Sequence, residues 1–253
     1  MPDVTDSSPG RPSSGSPGGP VSQTPRRPVD AVLFDFHGTI AQVEDADRSV
    51  ALAAEACGVP LFTERLAEVS AAMEGAGLAA GWPPRTIPPH VADAWANRDL
   101  SAADHRAAFV GIAGTVDAGI PGLAEAMYER KLTPDGWVAY PDTVPVLRAL
   151  TERGIRVAVV SNIGFDIRPI GKAHGYADLV DAWVLSYEIG VCKPDPAIFR
   201  HACAELGADP ARTLMVGDTV ADAGAVGAGC SSLVLPASPP GVPHGLGAVL
   251  ALL

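Results

Sequence analysis

Apolar residues in this chain follow two kinds of pattern. Five short runs, at 30–35, 156–161, 182–186, 213–218 and 232–235, are apolar inside without alternation. A strand with no polar face is one covered on both sides, as in a parallel sheet. Between the later runs, apolar positions recur at helical spacing. Val144, Leu147 and Leu150 share one face behind Asp142, a candidate cap, and Gly154 stops the pattern. Ile198, Phe199, Ala202 and Leu206 follow Asp195 and Pro196, an N-cap and first-turn pair, and Gly207 ends that helix. Strand–helix alternation predicts an α/β fold: a doubly wound parallel sheet with helices on both faces.

Residues 45–137 break the alternation. They are rich in Ala and predict helices over 45–57, 62–74, 89–98, 101–113 and 121–131, with a Pro-rich loop over 81–89. This reads as a helical domain inserted after the first strand, so that 29–44 and 138–253 make the core and 45–137 the insertion. Residues 1–28 are mostly Pro, Gly, Ser and Thr. Such a segment cannot bury enough apolar surface to offset its ordering entropy, which predicts a disordered tail.

Composition narrows the function classes. Of the 253 residues, 47% are hydrophobic, enough for a sizeable core, and 29 acidic against 18 basic residues give a net charge of −11. A surface that acidic suits neither nucleic acid nor anionic lipid. No apolar run reaches the roughly 18 residues of a membrane span, and the first residues lack the basic start and apolar stretch of a secretion signal. The expected location is cytoplasmic. Cys57, Cys192, Cys203 and Cys230 form no metal-binding or disulfide pattern and are expected in core or loops. The sequence carries no signal for an oligomeric state.

In open parallel sheets, ligands bind beyond the carboxyl ends of the strands. Asp35 follows the first apolar run, Ser161 the second and Asp218 the fourth, while Lys193 lies a few residues past the third. Two acids, a hydroxyl and an ammonium thus converge on one edge. Hard oxygens suit Mg²⁺; the ammonium and hydroxyl suit a phosphate. Only three of the 18 basic residues are lysines, Lys131, Lys172 and Lys193, so a Lys at this edge favours a compact point charge.

These segments resemble the four motifs of the haloacid dehalogenase-like superfamily. Asp35-Phe-His-Gly-Thr-Ile40 is similar to the first, Ser161-Asn162 to the second, Lys193-Pro-Asp-Pro-Ala-Ile-Phe199 to the third and Gly217-Asp218-Thr-Val-Ala-Asp222 to the fourth, in order and with matching spacing. The resemblance covers residues 30 to 235 and identifies the insertion as a cap. It implies a hydrolase that removes phosphate from a small phosphorylated metabolite through an aspartyl-phosphate. Asp35 would be the nucleophile. Ser161, Asn162, Lys193 and Gly38 would hold the phosphate, with Gly38 allowing a tight turn. Mg²⁺ would be held by Asp35, the backbone carbonyl of His37, Asp218 and Asp222, the last directly or through water.

One position departs from the family pattern. Phosphatases of the superfamily carry a second Asp two residues after the nucleophile, and here that residue is His37. Imidazole titrates near neutrality and is expected to take over the acid–base work. The substitution leaves two other readings open: a 2-haloacid dehalogenase, which attacks carbon without metal, and a non-catalytic phosphate-ligand sensor. The metal-type fourth motif argues against the first, and intact Asp35, Lys193 and Asp218 against the second. Family phosphonatases use a cap lysine as a Schiff base, but Lys131 lies at the far end of the insertion and is set aside. Candidate cap contacts to substrate are Arg85, His90, Arg98, His105 and Arg106.

Overall fold

The computed structural model describes residues 29–77, 84 and 86–253. The expected tail over 1–28 and the candidate contact Arg85 lie outside the described residues. Seven strands occur among the described residues: β1 (Ala31–Phe34), β2 (Ala41–Val43), β3 (Trp137–Ala139), β4 (Arg156–Ser161), β5 (Ala182–Leu185), β6 (Thr213–Gly217) and β7 (Ser231–Val234). Five form one sheet in the order β5-β4-β1-β6-β7, every pair parallel. The five apolar runs are these strands, the last shifted by one residue.

Period-2 geometry explains how the runs are buried on both faces. Val32 and Phe34 of β1 join Val157, Val159, Leu214 and Val216 in one core cluster. Ala31 and Leu33 join Ala158, Val160 and Met215 in a second cluster across the sheet. Helices α6 (Thr143–Glu152) and α7 (Arg168–Ala173) cover the first face, through Leu147, Leu150, Ile167 and Ile170. The short α8 (Ser186–Ile189) leads from β5 towards α9 (Pro196–Leu206), which covers the second face with Ile198, Phe199, Ala202 and Leu206. Asp195 caps α9 by accepting from Ala197 N–H at 2.8 Å, and Gly207 closes it in the left-handed conformation. The short helices α10 (Val220–Ala223) and α11 (Gly247–Leu250) follow β6 and β7.

The expected cap by Asp142 is corrected. Its carboxylate makes no bond to α6; it accepts instead from the backbone N–H groups of His244, Gly245 and Leu246 at 2.8–2.9 Å. It therefore ties the C-terminal segment across the start of α6. A side chain that can cap locally is captured by three orphan donors brought in by tertiary structure.

The insertion holds α1 (Ala46–Ala56), α2 (Thr63–Gly75), α3 (Ala92–Asn97), α4 (Ala102–Ala113) and α5 (Leu123–Lys131). The expected helix over 89–98 is a 3₁₀ turn over Pro89–Val91 followed by α3. Val50, Ala53, Ala54, Val69, Met73, Ile120 and Leu123 form a core cluster separate from the two that flank the sheet. The two ends of the insertion meet where β2 pairs with β3 antiparallel, Ala41 opposite Ala139. Trp137, expected inside the insertion, belongs to that pair. Beside it the buried Glu44 accepts from Arg48 Nε at 3.1 Å and from Nε and Nη2 of Arg130, the latter at 2.6 Å. Lys131, far along the insertion in sequence, thus stands at the core. Its remoteness on the chain is no ground for setting it aside. No helix among the described residues is long and apolar enough to cross a membrane.

Candidate active site

The chain leaves β1 into a tight loop that fixes Asp35. Asp35 N–H donates to Val216 O at 2.9 Å, while Ile40 N–H and Ala41 N–H both donate to Phe36 O at 3.0 Å. Gly38 sits at φ +82°, and a Cβ there would lie 2.8 Å from Asp218 Cγ. The loop therefore needs glycine twice over, for its conformation and for the approach of a carboxylate.

β1 lies between β4 and β6, so their ends converge on Asp35. Lys193 Nζ is buried and donates to Asp35 Oδ1 at 2.5 Å and to Asp222 Oδ1 at 2.6 Å. Asp222 also accepts from Thr219 N–H at 3.0 Å and from Thr219 Oγ1 at 2.9 Å, so both its oxygens are held. Asp35, Asp218 and Asp222 each bring an oxygen to within 4.8 Å of the others. Ser161 ends β4 at the same edge, buried. Asn162 clasps the Lys193 backbone: its Nδ2 donates to Lys193 O at 2.9 Å and its Oδ1 accepts from Lys193 N–H at 2.7 Å. Expected as a phosphate contact, the Asn162 side chain is committed to positioning Lys193.

Three carboxylates here share one ammonium. Burial, the largest influence, pushes Asp35 up to about 6, with Lys193 pulling it down and Asp222 pushing further up. Burial and the charges of Asp35 and Asp222 push Asp218 up to about 7 against the pull of Lys193. Burial acts to raise Asp222 too, but Lys193 and Thr219 hold it below the usual carboxylate range. Burial acts to lower Lys193, and the carboxylates outweigh it and hold the ammonium above its ordinary range. Excess negative charge around clustered hard oxygens fits a divalent cation such as Mg²⁺.

The side chain of His37 lies outside this cluster. Its Nε2 is 2.8 Å from Gln42 Oε1, which also accepts from Val43 N–H at 2.9 Å. The second bond fixes the Gln42 amide, so the network assigns the proton to Nε2 and leaves Nδ1 as an acceptor. The ring meets Trp137 edge-on, centroids 5.4 Å apart. Burial, then Lys131, pushes its pKa down to about 4 despite the Gln42 bond, so it is neutral around pH 7.

Other cap candidates separate clearly. His105 is buried, bonded through Nδ1 to Tyr128 Oη at 2.9 Å and packed on Phe109 and Phe165. It joins the insertion to the core, and burial with the charges of Lys131 and Arg98 holds it neutral, at about 3. His90 is exposed. Arg106 pairs with Glu129 at 2.5 Å on the surface, and Arg98 with Asp99 at 3.1 Å. Sequence reading missed Ser186 and Asp99. Ser186 Oγ accepts from Ile163 N–H at 2.9 Å and donates to Asp99 O of the cap. Ser186 directly follows β5 as Ser161 ends β4, a signal that was present in the pattern.

A family model described as haloacid dehalogenase-like hydrolase matches residues 29–228. The chain is 32% identical over 109 residues to haloacid dehalogenase-like hydrolase domain-containing protein 3 of Mus musculus, covering 43% of each. It thus spans less than half the length of that relative. It is 28% identical over 202 residues to (S)-2-haloacid dehalogenase 1 of Pseudomonas sp. (strain CBS-3), covering 79% of this chain and 81% of the relative. It is 33% identical over 86 residues to phosphoglycolate phosphatase of Psychrobacter arcticus, covering 34% and 37%. A solved structure described as a dehalogenase superposes with TM-score 0.61 at 21% identity, over 89% of this chain and 97% of that one. That likeness concerns the fold.

Proposed function

The chain belongs to the haloacid dehalogenase-like hydrolase family, and from that premise we propose that it is a Mg²⁺-dependent phosphatase of small organic phosphomonoesters working through an aspartyl-phosphate. The observation that carries this reading is the Asp35, Asp218 and Asp222 cluster with its single ammonium. A carboxylate attacking a haloacid carbon needs one further carboxylate, as the base that activates water on the ester; a third is what a cation site for phosphate chemistry adds. The similarity to phosphoglycolate phosphatase of Psychrobacter arcticus supports the same reading.

Asp35, Asp218 and Asp222 would hold Mg²⁺, which would supply charge neutralisation for the transferring phosphoryl group. Lys193, with Asn162 holding its backbone, orients Asp35 and lowers the repulsion between carboxylate and phosphate. Asp35 attacks phosphorus; the new bond is carboxyl O–P, and the bond to the alcohol oxygen breaks, the alcohol leaving as its anion and taking a proton from solvent water. In the second half, water attacks that phosphorus while His37 Nδ1 accepts its proton, and Asp35 leaves as a free carboxylate. In the neutral tautomer His37 serves as base better than as acid. Esters with good leaving groups are therefore expected to turn over faster than alkyl esters. His37→Ala is expected to lower kcat by on the order of 10²–10⁴, with phosphoenzyme accumulating because the lost step is attack by water. Unchanged kcat without phosphoenzyme would leave the ring a packing partner of Trp137 only.

The dehalogenase relative covers most of this chain, which keeps halide removal as the second reading. Purified protein should release phosphate from an aryl phosphate with Mg²⁺, lose that activity in EDTA, and release no halide from a 2-haloacid. Halide release that persists in EDTA would replace the first reading with the second.

A further inference from the structure

An ammonium withdrawn from water ordinarily has an anionic partner. Lys131, at the end of α5, is partly buried and has none of its own among the described residues. Its Nζ lies 4.6 Å from the Phe109 ring centre and 5.6 Å from that of Trp137. Among the described residues no carboxylate comes within ion-pair distance of it; Asp99 acts on it from farther away and is paired with Arg98. Cation–π contact is a partial substitute for a counter-ion, weaker than the charge-assisted hydrogen bond it leaves unmade.

The position of this ammonium matters as much as its lack of a partner. The Trp137 ring below it packs on Phe36 at 4.7 Å and on the edge of His37 at 5.4 Å. Phe36 and His37 directly follow Asp35, so the aromatic wall under Lys131 continues into the nucleophile loop. Among the described residues, Lys131 is thus a cation with no ion-pair partner that stands one aromatic ring away from the residues following Asp35. Lys131 and Phe109 also line a cavity of about 50 Å³, whose other walls include Val43, Met127, Tyr128 and the Glu44–Arg130 ion pair. That is room for a group of a few atoms. Burial, opposed by Asp99, pushes Lys131 down to about 8, which still leaves it mostly charged at neutral pH.

We propose that Lys131 is the receptor for a second anionic group on the substrate, a carboxylate, so that the preferred substrate is a short phosphorylated carboxylic acid. The phosphate half of this statement rests on the phosphatase reading above; the carboxylate half rests on Lys131 alone. The small cavity, in which Glu44 and Arg130 already neutralise each other, favours a compact carboxylate over a sugar or nucleoside, which about 50 Å³ does not admit.

Binding of two non-hydrolysable ligands tests it, measured by calorimetry with Mg²⁺ present: phosphonoacetate, which carries the carboxylate, and methylphosphonate, which lacks it. The wild-type chain is expected to prefer phosphonoacetate by about 10- to 100-fold, the value of a hydrogen bond to a charged group. Lys131→Met should abolish the preference while leaving methylphosphonate binding unchanged; Lys131→Gln gives the same comparison should the Met variant fold poorly. No preference in the wild type, or one that survives both substitutions, overturns the proposal. Hydrolysis of an aryl phosphate, which has no carboxylate, reads the phosphatase assignment separately.

Discussion

Asp35→Asn is expected to abolish phosphate release, with kcat falling by on the order of 10⁴–10⁶, the scale seen when a covalent nucleophile is removed. The amide keeps the size of the side chain, and Asp222 still holds Lys193 at 2.6 Å, so the fold should survive. Circular dichroism and the melting temperature should change little while turnover vanishes. Two further results separate nucleophile from mere ligand. Wild-type protein quenched in acid during turnover should carry one phosphate per chain on an aspartyl residue, and Asp35→Asn none. An Asn variant that still forms phosphoenzyme would move the nucleophile elsewhere.

Lys193→Met is expected to damage both stability and activity. It leaves Asp35, Asp218 and Asp222 with no counter-charge, and removing one partner of a buried ion pair costs about 3–5 kcal/mol. Loss of a preorganised cation at the phosphoryl group should cost about 10²–10³ in kcat. Because excess negative charge causes the instability, Mg²⁺ should raise the melting temperature of the variant more than that of the wild type. The same charge balance gives a pH dependence for the metal-free wild type. Asp35 and Asp218 stand at about 6 and about 7 in the fold against 3.8 ordinarily. The folded form then holds more protons than the unfolded form between pH 3.8 and about 7, so stability falls as pH rises through that window. Stabilisation by Mg²⁺ should accordingly be larger at pH 7.5 than at pH 5. An equal effect at both would mean that the carboxylates are not what the cation relieves.

The chemistry-bearing residues were legible where secondary structure alone places them. Asp35, Ser161 and Asp218 end strands whose apolar interiors announce burial on two faces, and the Asp195–Gly207 helix carries its own start and stop signals. Parallel pairing then forces those ends together. What stayed hidden depends on contacts between distant segments. β2 and β3 are three residues each, too short for a period, and exist because the two ends of the insertion meet. Asp142 reads as a local cap, yet three backbone donors near residue 245 take it. His37 reads as the acid–base group, and only the Gln42 bond shows which nitrogen is left. Lys131 looked remote because chain distance is a poor guide when an insertion returns to its starting point.

The sheet order also has a consequence for how the protein is made. β1, which leads into Asp35, is synthesised before the other four strands of its sheet, but its two neighbours begin at Arg156 and Thr213. During synthesis the apolar stretch Ala31–Phe34 therefore waits, unpaired on both edges, while the entire cap and most of the core emerge. Connections that long slow folding and lengthen the exposure of sticky segments. The insertion, with its own apolar cluster and mostly local helix contacts, is expected to acquire structure first, and the edge that gathers Asp35, Lys193 and Asp218 to assemble only when β6 arrives. Nascent chains that stop before Thr213 should thus be chaperone clients with a structured cap and no activity, and recombinant yield should respond to slower translation or lower temperature.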